Sequence, residues 1–277
     1  MTKDNPVAAH YGRHSLFDEI AAALAGVGVD IEQAGLKDLT PLDHFHGGGA
    51  TATEELADAL SVTADHHILD IGCGIGGPAR YMAQRFGCRV TGIDLTPEFC
   101  DVARRLTAIT GLADCVDIHE GSATDLPFPD AHFNGAYSQN VSMNIADSAR
   151  LHAEAFRVLR PGGFFALSEI AVANPDATIT YPVPWSSDGV HSYLEPMEDT
   201  VRSLTDTGFE VLSSKDNSER TVKFYAAQRE KIARDGPPKI GIHIIMGADY
   251  REKQRNSALN ITEGRLKPVE ILCRKPG

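Results

Sequence analysis

Asp70 stands just ahead of a glycine cluster in the run His67-Ile68-Leu69-Asp70-Ile71-Gly72-Cys73-Gly74-Ile75-Gly76-Gly77-Pro78. A short apolar run entering glycines and leaving into Ala79-Arg80-Tyr81-Met82 reads as strand, tight turn and helix start. Glycine permits backbone conformations closed to other residues and lets a ligand approach the main chain. Pro78 suits the first helical turn, where its missing N–H is no loss. Ligands of open α/β sheets bind at such carboxyl ends of strands. Gly72, Gly74 and Gly77 satisfy G-x-G-x-x-G, the dinucleotide fingerprint. Asp70 decides against that ligand, because a carboxylate would repel a pyrophosphate and attract a cation.

Two further constellations carry chemistry. Asp94 ends the next apolar run, twenty residues after Gly74, where an acid can accept hydrogen bonds from both ribose hydroxyls or cap the following helix. His44 and His46 flank Phe45 beside Gly47-Gly48-Gly49. Alternate residues of an extended segment face opposite ways, so the two histidines are not expected to share a metal. One of them could serve as a general base or bind substrate, or both could be plain loop histidines. The five cysteines are scattered without C-x-x-C pairing, so neither zinc nor a disulfide framework is expected.

These residues need a scaffold, and the chain alternates apolar runs with helical patterns as a doubly wound sheet requires. The expected strands are 67–71, 89–94, near 116–118, near 133–137, 164–168, 209–212 and 269–273. Helices are expected to about 86, from Pro97 to Ile109, over 146–158 and over 196–207. Arg160-Pro161-Gly162-Gly163 reads as a turn that places the fifth strand. In the first 65 residues, Ser15 is expected to cap a helix with the stripe Leu16, Ile20, Leu24 and Val27, and Thr53 to cap a helix over 54–60.

A length of 277 residues suits one large domain. It divides into an N-terminal flap (1–65), a ligand-binding core (66–170), a loop, helix and strand (171–217), an inserted helical lid (218–266) and the last strand (267–277). The insertion is too apolar to be disordered, and Val222, Phe224, Ile232, Ile240, Ile242, Ile244, Ile245 and Leu259 are expected to be buried. A net charge of −12 without a Lys/Arg cluster argues against nucleic acid as a partner. No apolar run approaches the ~18 residues of a membrane helix, and the N-terminus shows no apolar signal segment, so a cytoplasmic protein is expected. Homodimerisation is left open.

Leu69-Asp70-Ile71-Gly72-Cys73-Gly74-Ile75-Gly76 resembles the first motif of class I S-adenosylmethionine-dependent methyltransferases. The resemblance covers about residues 66–170, with His10-Tyr11-Gly12-Arg13 and Glu263-Gly264-Arg265-Leu266 pointing to the glycine/sarcosine/dimethylglycine N-methyltransferase and phosphoethanolamine/tocopherol methyltransferase group. It implies a Rossmann-like α/β sheet of about seven strands, mostly parallel with the last antiparallel. It also implies S-adenosylmethionine as cofactor, held by Asp70, Gly72, Cys73, Gly74, Gly76 and Asp94. Leu95, Ser122 and Ala123 would line the adenine pocket; relatives often carry Asp where Ser122 stands. Tyr11 would close over the methionine end, and Gln139 and Asn140 would lie where the methyl group points. Trp185, His191 and Tyr193 fall in the loop after the fifth strand, expected to face substrate, where an aromatic could hold a cation or plug the core. Tyr11, His46 and Gln139 are the candidate catalytic residues, with His44 beside substrate. The implied reaction is in-line displacement at the sulfonium methyl by a small molecule, first of all an amine nitrogen. O-, S- or C-methylation, a fold retained only for binding, and an NAD-dependent oxidoreductase are the competing readings.

Overall fold

The computed structural model describes residues 10–12 and 15–277, so Arg13 lies outside the described residues. From Leu16 onward the first helices are α1 (Leu16–Ala25), α2 (Leu36–Asp43) and α3 (Gly49–Ala59). The apolar stripe of α1 stops at Leu24, and Val27 is exposed. Ser15 does not cap this helix; its hydroxyl donates to Glu19 Oε1 at 2.7 Å. Thr53 is not a cap either. Gly48, with φ of 87°, opens α3 at Gly49 and leaves Thr53 inside the helix.

The core follows as β1 (His67–Ile71), α4 (Gly77–Phe86), β2 (Arg89–Asp94), α5 (Pro97–Ile109), β3 (Val116–Glu120), β4 (Phe133–Gln139), α6 (Ser148–Val158) and β5 (Leu159–Val172). It closes with α7 (Met197–Thr207), β6 (Glu210–Asp216), three inserted helices α8 (Ser218–Asp235), α9 (His243–Met246) and α10 (Tyr250–Thr262), and β7 (Leu266–Arg274). The seven strands form one sheet in the order β3-β2-β1-β4-β5-β7-β6. Neighbours from β3 to β5 pair in parallel, and β7 runs antiparallel to both β5 and β6. This is the Rossmann-like arrangement expected from the sequence, with the order reversing between β1 and β4.

Ile68, Leu69 and Ile71 are fully buried because both faces of β1 are covered. Ile68 joins Met82, Val90 and Tyr137 on one face, while Leu69 and Ile71 join Leu151, Phe165 and Ile271 on the other. β5 is longer than its apolar run suggests. Arg160-Pro161-Gly162-Gly163 is not a turn ahead of it but an irregularity inside it, where the register against β4 shifts. There Gly162 N–H donates to the Lys275 carbonyl and Lys275 N–H to that of Gly163. At its far end β5 continues to Val172 because β7 pairs with it as far as Leu266.

The first helices are fastened to the core by apolar contact and by one buried ion pair. Leu16, Ile20, Leu24, Leu39 and Leu42 pack with Ile75, Phe99 and Leu106 of the core and with Ile245 of the insertion. Arg80 Nη2 lies 2.5 Å from Asp43 Oδ1, and Nη1 donates to the Ile75 carbonyl at 2.9 Å. A side chain at Gly77 would place its Cβ 2.0 Å from the Asp43 carbonyl oxygen, so the start of α4 sits directly on the end of α2. Among the described residues, no helix is long and apolar enough to cross a membrane.

Candidate active site

The glycine turn after β1 bounds a cavity of ≈ 1200 Å³ at the carboxyl ends of β1, β2 and β4. Residues of α2 and α3, the loop after β5 and the inserted helices complete its wall. Pockets for a single drug-sized ligand run to about 1,000 Å³, so there is room for a cofactor and a second small molecule together.

Gly72 and Cys73 donate their N–H groups to the Ile93 carbonyl at 2.8 and 3.0 Å, which ties the turn to β2. A Cβ on Gly72 would come within 2.3 Å of Val141 Cγ2, so the turn also lies against the segment that follows β4. Asp94 Oδ2 accepts from Gly74 N–H at 2.9 Å, and Oδ1 accepts from Thr96 N–H at 2.8 Å. The carboxylate therefore fastens the turn and caps α5 at once. Each oxygen still has a lone pair for a hydroxyl. Burial raises the Asp94 carboxyl above its ordinary range, and these two N–H groups work against the rise. Asp94→Ala is expected to cost roughly 1.5–3 kcal/mol of cofactor affinity, the worth of hydrogen bonds to a charged group. Calorimetry with S-adenosylhomocysteine checks this, and an unchanged dissociation constant in a folded variant would leave Asp94 as a cap alone.

Asp70 is 2% exposed and its Oδ2 has no partner among the described residues. Burial pushes its carboxyl up to about 7; the Tyr137 hydroxyl opposes the rise and Asp94 adds to it. Gln139, at the end of β4, has both amide atoms buried and unpartnered. Orphaned buried polar atoms are costly unless a ligand completes them. A carboxylate and a carboxamide on one wall suit a ligand that carries positive charge and hydrogen-bonding groups. Burial pushes the Cys73 thiol well up, so it is no nucleophile in this state.

Asn140 follows in the left-handed region, φ 57°. Glu169 on β5 holds this segment and was missed in the sequence. Its Oε1 accepts from the Ser138 hydroxyl at 2.8 Å, and its Oε2 from the N–H groups of Val141 and Ser142 at 2.9 and 3.1 Å. A lone acid inside the apolar run Phe164–Val172 was the available signal, since a buried charge demands partners.

Tyr11 lines the cavity, donates to Asn144 Oδ1 at 3.2 Å and packs against the rings of Phe45 and Phe99. Leu95, Ser122 and Ala123 also line it. The Ser122 hydroxyl shares a hydrogen bond with Thr124 Oγ1 at 2.8 Å. Trp185 is both wall and plug: it lines the cavity, packs with Met143, Val183, Ile261 and Leu266, and donates from Nε1 to Ser192 Oγ. His191 and Tyr193 correct the expectation that they face substrate. Both are exposed and neither lines the cavity, because Met143 and Asn144 take up their backbone groups and turn that segment along the surface. Gly76 does not line the cavity either; it opens α4 against Arg80 and Ala103.

His44 and His46 depart furthest from expectation, for they do not diverge. His44 Nδ1 and His46 Nε2 each lie 2.9 Å from Thr53 Oγ1. Burial first, then His46 and Arg80, bring the His44 imidazole down to about 3. Burial brings His46 down to about 4. Both rings are neutral near pH 7. Of the insertion residues expected to be buried, Ile245 is buried, Val222, Phe224, Ile240, Ile242 and Ile244 are half-buried, and Ile232 and Leu259 are exposed because they face the open cavity instead of a core.

The profile of the family described as "Methyltransferase domain" matches residues 69–167. The chain is 30% identical to the O-methyltransferase resE of Aspergillus sclerotiorum over 76% of its own length and 80% of that protein. It is 29% identical to a sarcosine/dimethylglycine N-methyltransferase of Halorhodospira halochloris, over 69% of this chain and 67% of that one. Among solved structures, a phosphoethanolamine N-methyltransferase of Haemonchus contortus with S-adenosylmethionine superposes with a TM-score of 0.75 at 20% identity, over 99% of this chain and 61% of that one.

Proposed function

We propose that this chain, which belongs to the S-adenosylmethionine-dependent methyltransferases, methylates the nitrogen of a small-molecule amine. Methyl transfer from S-adenosylmethionine to small molecules is the activity of the family; the choice of nitrogen is our reading, since relatives act on nitrogen, oxygen and carbon. The cofactor, when bound, supplies an electrophilic methyl group on a sulfonium. Asp70 would face its positive charge, Asp94 its ribose, and Ser122, Ala123 and Leu95 its adenine, with Tyr11 and Gln139 at the methionine end. The unpartnered Asp70 Oδ2 and Gln139 amide fit such a ligand.

The observation that carries the nitrogen reading is the neutrality of the histidine pair His44 and His46 on a cavity wall to which the inserted helices also bring Arg229, Lys231, Arg251 and Arg255. The rings of Tyr11, Phe45 and Trp185 stand with two histidines held far below neutral pH. A phenol or carbon acid needs a base with a pKa near the working pH. A free amine brings its own lone pair, and positioning plus exclusion of water then supplies most of the acceleration. The relative named for sarcosine and dimethylglycine supports the same choice.

Labelled S-adenosylmethionine and a panel of small amines, phenols, thiols and carboxylates test this. Amines are expected to lead phenols by about 10²-fold in kcat/KM, the usual weight of general base catalysis. At saturating cofactor, kcat/KM should rise with pH toward the acceptor's own pKa, about 10 for a simple alkyl amine. A phenol or thiol ranking first would overturn the reading.

A further inference from the structure

We infer that His44 Nε2 accepts a hydrogen bond from the N–H of the methyl acceptor, in a tautomer set by a chain running through Thr53 and His46 to the Gly47 carbonyl. The inference rests on the amine reading above and narrows it to acceptors that carry an N–H.

The chain can be followed from its far end. His46 Nδ1 lies 3.3 Å from the Gly47 carbonyl oxygen, which can only accept, so the ring proton sits on Nδ1. A neutral imidazole has one proton, which makes His46 Nε2 an acceptor. Its neighbour at 2.9 Å is Thr53 Oγ1, so the Thr53 hydroxyl donates to it. That hydroxyl has a single proton and has now used it. Toward His44 Nδ1, also 2.9 Å away, Thr53 Oγ1 can only accept. His44 is therefore protonated on Nδ1, and its Nε2 carries a lone pair. The low pKa values of both rings agree with the neutral forms assumed at each step.

That lone pair has no partner among the described residues. His44 is 6% exposed, lines the cavity and stacks edge-on against Tyr81 of α4. The loop it begins reaches the end of β4, where a Cβ on Gly47 would lie 3.9 Å from Asn140 Nδ2. His46 has no ring nitrogen to spare, so of the two histidines only His44 can meet a substrate. An N–H held on His44 turns the nitrogen's own lone pair away from the ring and into the cavity. His44 is the catalytic residue of this arrangement, while Thr53 and His46 are positioning residues. A tertiary amine has no N–H to offer, so this chain, unlike the relative named for the tertiary amine dimethylglycine, should stall once the last N–H is replaced.

Long-range ¹⁵N–¹H NMR of the free protein reads the tautomers directly. His44 protonated on Nδ1 and His46 protonated on Nδ1 are expected, and Thr53→Val should leave His44 a mixture. His44→Phe keeps a ring but loses the acceptor, and should lower kcat for a secondary amine about 10²-fold with little change in S-adenosylhomocysteine affinity. His44→Gln puts a carbonyl near the Nε2 position and should recover part of that loss. Tertiary amines should react at least about tenfold more slowly than their secondary parents. A His44 ring protonated on Nε2, a His44→Phe variant with the parent kcat, or a tertiary amine that matches its parent would each overturn the inference. If no amine reacts at all, the nitrogen reading fails, and the NMR result still decides the chain of hydrogen bonds.

Discussion

Asp70→Asn is expected to stabilise the free protein at pH 8 and to weaken cofactor binding in the same step. Asp70 rises from 3.8 to about 7 because the fold buries it, with Oδ2 unpartnered. Each pH unit of such a rise is worth about 1.4 kcal/mol, so the ionised carboxylate costs the folded state about 4 kcal/mol above pH 7. The unfolded chain loses this proton near 3.8 and the folded chain near 7, so the folded state binds more protons in between. Stability is therefore highest below 3.8 on this account and falls as pH rises to 7. Asparagine removes the charge but keeps a polar group, so a gain of roughly 2–4 kcal/mol at pH 8 is expected, vanishing near pH 4. A cation within about 5 Å of the carboxylate would gain roughly 3 kcal/mol at an effective dielectric of 20. The variant should thus bind S-adenosylmethionine about 10²-fold more weakly at pH 8. The parent should lose up to about tenfold in affinity per pH unit below 7, and the variant should lack that slope. Tyr137, Asp94 and Cys73 act on the same carboxyl or beside it, and comparison with the variant isolates Asp70 from them. Urea unfolding at pH 8 and pH 4, with calorimetry across pH 5.5–8.5, measures both sides. Equal stability at pH 8, or a flat pH dependence in the parent, would remove Asp70 as the group facing the cofactor's charge.

The same turn explains why so much of the fold was legible. Ile68, Leu69 and Ile71 sit on a strand buried on both faces, which reads as an unbroken apolar run. Gly72 and Gly77 stand where any side chain would strike Val141 or Asp43, so their presence marked a close backbone approach. Asp94 was legible as a residue but not as a clasp on Gly74, because that contact joins two βα turns. What sequence reading missed depends on the path of the chain. His44 and His46 alternate on paper, yet the turn through Gly47-Gly48 brings α3 back and sets Thr53 between them. His191 and Tyr193 have the residue types of a substrate wall, but type does not say which side of a loop faces the cavity. The length of β5 was hidden because its pairing with β7 joins residues about a hundred positions apart.

Replacing residues 218–266 by a short turn is expected to lower methyl transfer by at least about 10³-fold, within the range that positioning and exclusion of water contribute, while cofactor affinity falls by no more than about tenfold. β6 and β7 pair antiparallel, with Asp216 opposite Val269, so the segment between them leaves and returns at neighbouring strands. Its helices are not disposed away from the cavity. Val222, Phe224, Tyr225, Ile240 and Met246 line it, and Ile245 packs among Leu16, Leu39 and Phe99. The insertion therefore bridges the first helices and the cavity, as a lid would, whereas Asp70, Asp94 and Ser122 belong to the core alone. Motion of such a cover can limit turnover. The deletion also uncovers Trp185, which packs with Ile261, and the shortened chain could fail to fold for that reason. Ile245→Ala supplies the milder test. Removing its side chain should cost about 2–4 kcal/mol at the contact with α1 and α2, loosening the lid without exposing the Trp185 cluster. A raised acceptor KM, with S-adenosylhomocysteine binding unchanged, is expected. A shortened protein that folds and turns over at the parent rate, or an Ile245→Ala variant with unchanged acceptor kinetics, would mean that the insertion does not close the site. Acceptor selection would then fall to α2, α3 and the loop bearing Trp185.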